Sequence, residues 1–202
     1  MGGTFDPIHF GHLFIAAEAK EVCGLEHVLF IPTGEPAHAE GKVAAASPRE
    51  RYELVELAIA DNPDFRVLSL EVDRPGKSYL YDTLRQLHLE LGPEVEFYFI
   101  LGADSALDLH TWYRSGELFE LCRFVAVSRP GFSFDEARSR LGANHARIWW
   151  IEAPGLHIAS RQLRDRVRAG QGIRYLVPPE VEARIAHLNL YRDRGVAEQT
   201  NY

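Results

Sequence analysis

The residues best suited to chemistry stand at the start of the chain, in Gly2-Gly3-Thr4-Phe5-Asp6-Pro7-Ile8-His9-Phe10-Gly11-His12. Paired glycines let backbone approach an anion closely. His12 opens an amphipathic stretch carrying Leu13, Ile15, Ala16 and Ala19, so the string runs into a predicted helix N-terminus. Free amides and the positive end of the helix dipole favour a phosphate there. His9 and His12, flanking Gly11, could donate hydrogen bonds to phosphate oxygens as charge builds in a transition state. A lone H-x-G-H tetrapeptide reads more simply as a glycine turn with two surface histidines, but the full eleven-residue string does not. A second candidate lies late in the chain, where Ser160 can cap a helix over 161–169 that carries Arg164. Helix amides, a hydroxyl and a forked guanidinium make a second anion clamp. Taken alone, Arg161, Arg164, Arg166 and Arg168 would read as a solvated basic face.

These residues need elements to hold them. Apolar strand-like runs at 27–31, 66–70, 95–101, 124–128 and 148–151 alternate with helical patterns at 11–22, 48–60, 80–91 and 134–141. Leu80, Leu84, Leu87 and Leu91 recur at helical spacing and predict one buried face. Such alternation predicts right-handed βαβ units around a parallel sheet. The C-terminal third reads as helical, with Pro179 opening a helix that carries Val181, Ile185 and Leu188. The segment 32–47 is long for a connection in a compact domain, which favours a functional or mobile segment. A single domain over 1–192 with a frayed tail at 193–202 is the expected organisation.

Composition narrows the partners. The 202 residues carry a formal net charge of −7, without the basic footprint of a nucleic-acid binder. Small anionic ligands stay open, because a phosphate site needs only a few local donors. Cys23 and Cys122 are far apart and have no CxxC partner, so neither a disulfide framework nor a zinc site is expected, and both read as core residues. No apolar run approaches the ~20 residues of a membrane helix. The expectation is a soluble, cytoplasmic protein, with a homo-oligomer left open.

The stretch 2–12 resembles the GGTFDP-x-H-x-GH signature of the (H/T)xGH nucleotidyltransferase superfamily, specifically the bacterial nicotinate mononucleotide adenylyltransferases. Further similarities run along the chain: Ser78-Tyr79-x-x-Asp82-Thr83-Leu84, Gly102-Ala103-Asp104 with Trp112 after it, Ser128-Arg129-Pro130-Gly131, and Ile158-Ala159-Ser160-x-x-Leu163-Arg164. The resemblance implies a Rossmann-like, doubly wound parallel sheet with a small helical C-terminal part. It also implies transfer of an adenylyl group from ATP to nicotinate mononucleotide, giving deamido-NAD and pyrophosphate. Magnesium would be held mainly by phosphate oxygens and water, with no metal ligands from the protein.

On that resemblance His9, His12 and Arg164 are catalytic, with His12 nearest the transferring group. Gly2, Gly3, Thr4, Phe5, Gly11, His12, Asp104, Ser160 and Arg164 hold ATP, with Asp104 on its ribose. Thr83, Trp112, Arg129 and His38 hold the mononucleotide. The sequence departs from the family at Ala159 and Arg161, where hydroxyl residues are usual, and at Ala39, where a basic residue is usual; Lys42 lies three positions on, and the sequence does not assign it that role. Other acceptors (phosphopantetheine, nicotinamide mononucleotide, flavin mononucleotide) and a non-catalytic nucleotide-binding regulator remain alternative readings. The family's first strand precedes the glycine pair, and here Met1 abuts Gly2. The expectation is that this strand is missing and that the natural chain starts several residues upstream.

Overall fold

The computed structural model describes residues 1–37, 44–128, 131–154 and 156–192. In chain order the elements are β1 (Gly2–Gly3), α1 (Phe10–Cys23), β2 (Val28–Pro32), β3 (Glu35–Pro36), α2 (Pro48–Ile59), β4 (Phe65–Val67), β5 (Lys77–Ser78) and α3 (Leu80–Leu91). There follow β6 (Tyr98–Gly102), α4 (Ala103–Ala106), α5 (Ser115–Leu121), β7 (Arg123–Ser128), α6 (Phe134–Leu141), β8 (Ile148–Glu152), α7 (Ser160–Arg168) and α8 (Pro179–His187).

Two parallel three-stranded sheets, β4-β2-β1 and β6-β7-β8, meet where β1 lies against β6. A side chain at Gly2 would start 3.3 Å from the Phe99 ring of β6, so glycine permits that approach. The first strand is therefore present, shortened to Gly2 and Gly3, which pair with Ile31 and Pro32. The Met1 amino group donates to the Leu29 carbonyl at 2.7 Å, and burial pulls its pKa down to about 5. Chain connections reverse direction at the β1/β6 junction. Open α/β sheets bind ligands at such a switch point, outside the carboxyl ends of the strands.

The strands read as apolar runs because both sheet faces are covered. Phe30, Val125 and Ile151 enter one core with Ile8, Leu54 and Leu163. Phe124 and Ala126 enter the other with Leu84, Leu118 and Leu141. Helix α2 starts at a capping box: Glu50 N–H donates to Ser47 Oγ, and Ser47 N–H donates to Glu50 Oε2. Gly24, at φ 63°, ends α1 in the left-handed region that glycine tolerates.

Three further expectations change. Leu84 and Leu87 are buried, but Leu91 at the end of α3 is 49 % exposed. Cys122 is buried, whereas Cys23 is only half-buried. Ser160 is the first residue of α7 and Ala159 its N-cap, so the Ser160 hydroxyl is directed elsewhere.

Candidate active site

Beyond β1 the chain turns at Phe5, a non-glycine residue at φ 49°, whose buried ring packs edge-on to His12 at 5.1 Å. This turn aims the loop toward the N-terminus of α1. There the His9 and His12 rings stack at 3.7 Å, 22° apart. A side chain at Gly11 would start 3.0 Å from His9 Nδ1, so glycine between the histidines is what lets the rings meet. The His9 amide donates to His12 Nδ1 at 3.3 Å. That leaves the His12 proton on Nε2, free to act as a donor. Burial pulls His9 down to about 4, and burial plus the neighbouring His9 pulls His12 to about 3. The apo pair is neutral at pH 7, one N–H donor each. His9 Nδ1 is buried without a hydrogen-bond partner among the described residues.

Helix α7 docks directly on this loop. Ser160 Oγ donates to the Pro7 carbonyl at 2.9 Å, and Arg164 Nη1 donates to the Asp6 carbonyl at 2.6 Å. The Asp6 carboxylate lies 3.6 Å from the same guanidinium. Asp6 is itself buried and accepts from the amides of Ala45 and Ala46 and from the Tyr191 hydroxyl. Burial raises the Tyr191 phenol, and Asp6 raises it further.

The cleft between the sheet halves measures about 1120 Å³. Gly2, Gly3, Thr4, Phe5, His9, Gly11, His12 and Ser160 line it, as do Asp104, at the start of α4, and Trp112, which stands edge-on to Phe99 at 5.9 Å. Two candidates stand outside its wall. Arg164 turns toward Asp6. Thr83 is 1 % exposed, with its amide on the Tyr79 carbonyl and its hydroxyl donating to Glu71. His38 and Arg129, with Ala39, Lys42 and the tail 193–202, lie outside the described residues.

Several residues here carry no sequence signal. Arg51 is fully buried and donates to four carbonyls: Thr4 at 2.6 Å, Thr33 at 2.6 Å, Gly34 at 3.1 Å and Ala46 at 3.2 Å. Burial lowers its pKa, and Asp6 opposes the shift. One side chain thus joins the loop after β1 to the segment after β2. Glu71 and His157 also line the cleft, beside Ser78 of the 78–84 stretch.

Residues 1–166 match the profile of the cytidylyltransferase-like family, and the chain belongs to that family. Its relatives include probable nicotinate-nucleotide adenylyltransferases from Desulfitobacterium hafniense strain Y51, 43 % identical over 95 % of this chain and 94 % of the relative, and from Moorella thermoacetica, 43 % identical over 98 % and 94 %. A third, from Exiguobacterium sibiricum, is 44 % identical over 95 % and 96 %. The fold is that of Plasmodium falciparum nicotinic acid mononucleotide adenylyltransferase complexed with NaAD, at TM-score 0.76, 21 % identity and 94 % of both chains.

Proposed function

We infer that the protein joins ATP to nicotinate mononucleotide, forming deamido-NAD and pyrophosphate. The observation that carries this reading is the neutral, stacked His9–His12 pair, set beside the glycine turn in the wall of a cleft large enough for two nucleotides. An oxygen of the mononucleotide phosphate attacks the α-phosphorus of ATP. The bond from that phosphorus to the bridging oxygen breaks, and both its electrons leave with pyrophosphate. A phosphate monoester is largely dianionic at neutral pH, so no general base is required. Catalysis reduces to in-line positioning and stabilisation of the charge on the transferring group.

His12 Nε2–H faces that group in this reading. His9 supports it, Gly2, Gly3, Thr4, Phe5 and Gly11 give the phosphates room and backbone donors, and Asp104 takes the ribose. Ser160 and Arg164 hold the departing pyrophosphate once Arg164 exchanges the Asp6 carbonyl for a phosphate oxygen. Trp112 offers a flat face to the pyridine ring, Thr83 acts from behind the wall, and Arg129 and His38 are the remaining candidate contacts to the mononucleotide.

Nucleotidyltransferases of this family generally use a divalent cation, and magnesium suits this site. Among the described residues no group of three His, Cys, Asp or Glu side chains could hold a metal. The Asp6 carboxylate is already engaged by two amides and a phenol. An ion that keeps its waters and arrives on ATP phosphates fits such surroundings and adds neutralising charge to them. No helix of the described residues is long and apolar enough to cross a membrane, and we assign the enzyme to the cytoplasm.

The test is product analysis of the full chain with ATP, magnesium and nicotinate mononucleotide. Equimolar deamido-NAD and pyrophosphate are expected; ATP consumed without the dinucleotide, or not consumed at all, overturns the reading.

A further inference from the structure

Along the cleft lies a buried carboxylate that the transfer step does not use. Glu71 is 6 % exposed and borders the cleft. Thr83 Oγ1 donates to its Oε1 at 2.7 Å, and Arg74 Nη1 donates to that same hydroxyl at 3.0 Å. Arg74 Nη2 reaches Gln86 Oε1 at 2.6 Å, and Gln86 Nε2 reaches Glu90 at 2.8 Å. Thr83, Gln86 and Glu90 share one face of α3, so these bonds strap residues 71–74 along the helix. A side chain at Gly34 would collide with the Glu71 carbonyl, which closes the segment after β2 over the same spot.

Two further features point to a ligand here. Helix α3 is twelve residues long and its N-cap, Tyr79, makes no side-chain capping bond. Beside it Ser78, 7 % exposed, borders the cleft with an Oγ that makes no hydrogen bond of good geometry. That hydroxyl still lies near enough to Glu71 to help hold its pKa down. Burial pushes the Glu71 carboxyl up, while Thr83, Arg74, Ser78 and Thr33 oppose the shift. A buried polar group without a partner is costly, so an incoming ligand gains by satisfying it.

We propose that Glu71 is a positioning residue for the acceptor: through Thr83 and Arg74 it fixes the first turn of α3, so that the Ser78 hydroxyl and the α3 amides meet an anionic group of the mononucleotide. The proposal rests on the adenylyl-transfer reading. It also recasts Thr83 as the link through which Glu71 acts.

The experiment compares the full-length wild type with Glu71→Ala, Glu71→Gln, Thr83→Val and the Glu71→Ala/Thr83→Val double variant. KM for nicotinate mononucleotide and for ATP are measured separately, and nicotinate mononucleotide binding is measured by calorimetry without ATP. Losing one such buried hydrogen bond corresponds to roughly tenfold in affinity. Glu71→Ala and Thr83→Val should each raise acceptor KM and Kd about tenfold, with ATP KM within about twofold. The double variant should be no worse than the weaker single, because both remove the same link. Glu71→Gln keeps an oxygen for the Thr83 hydroxyl and should recover most of the affinity. Equal rises in both KM values, multiplying effects in the double variant, or unchanged acceptor binding in folded Thr83→Val overturn the proposal. Thr83→Val preserves side-chain shape, so it decides the matter even where Glu71→Ala does not fold. A wild type that binds the mononucleotide but forms no dinucleotide overturns the adenylyl-transfer reading alone, and calorimetry still tests Glu71.

Discussion

His12 owes its assigned role to burial. Its Nδ1 is occupied by the His9 amide, so a single proton sits on Nε2, and the depressed pKa keeps the ring neutral at pH 7. A neutral donor already in place needs little reorganisation when charge develops on the transferring phosphoryl group. Replacing His12 with Ala should lower kcat by about 10²–10³. Circular dichroism should show an intact fold, and near-normal turnover would contradict the assignment. The same burial makes apo stability depend on pH. Both histidines have folded pKa values, about 4 and about 3, below the ordinary 6.5. Between those values the unfolded chain binds more protons, so stability is full above pH 6.5 and falls as pH drops toward 4 and then 3. Thermal melts of the apo protein at pH 7.5 and pH 5 should differ by about 8–16 °C, the equivalent of about 4 kcal/mol, roughly 2 kcal/mol from each histidine. A His9→Gln/His12→Gln variant should lose most of that difference; an unchanged one would place its origin elsewhere. At this scale the sequence was informative where partners are adjacent: 2–12 is continuous, and its glycine and histidine types state their own chemistry. Glu71 and Arg51 were silent. Glu71 meets Thr83 twelve positions away, and Arg51 meets only backbone carbonyls, which leave no trace in residue type.

Helix α2 shows how an element can hold two halves of a site together. Its buried Arg51 reaches Thr4 after β1 and Thr33 and Gly34 after β2, so the loops that follow β1 and β2 share one anchor. A lysine could not span these carbonyls, because an ammonium lacks the planar fork. Arg51→Lys should lower the melting temperature by at least roughly 6 °C, since disrupting a buried charged network costs about 3–5 kcal/mol. Differential scanning calorimetry checks this, and a shift within 2 °C would show that the anchor is dispensable. The longer helices and the strands with buried runs were legible from periodicity, because α1, α2, α3 and α6 each bury a stripe. The strand expected at 66–70 pairs only over Phe65–Val67, and the one expected from 95 begins at Tyr98. Apolar content there exceeds the length over which a neighbouring strand is available. Elements as brief as α4, β3 and β5 lack the length for any period to show. Ser160 was expected to cap α7, but its hydroxyl instead bonds Pro7, a contact across 153 positions that local sequence cannot announce.

At the scale of the whole molecule, both sheet halves contribute to one cleft. Residues of the 2–12 loop and Ser160 line it together with Glu71, Ser78, Leu80, Phe99 and Trp112, and the β1/β6 junction brings them to the same opening. The doubly wound architecture was legible because strands and helices alternate. The pairing of β1 with β2 as a two-residue strand was not, since glycines give no strand pattern. In the proposed reading the choice of acceptor is decided beside the amino end of α3, where Ser78 and Leu80 line the cleft. There an acceptor carrying a carboxylate can accept from the helix donors, whereas a carboxamide also presents N–H donors of its own. An unpaired buried polar group costs about 1–3 kcal/mol, enough for at least a tenfold preference. The most direct measurement is kcat/KM of the full chain, with ATP and magnesium saturating, for nicotinate mononucleotide, nicotinamide mononucleotide, phosphopantetheine and flavin mononucleotide supplied separately. Nicotinate mononucleotide should lead nicotinamide mononucleotide by about tenfold or more, with negligible pyrophosphate release from the other two; equal efficiency for acid and amide, or a lead for any other acceptor, would contradict it.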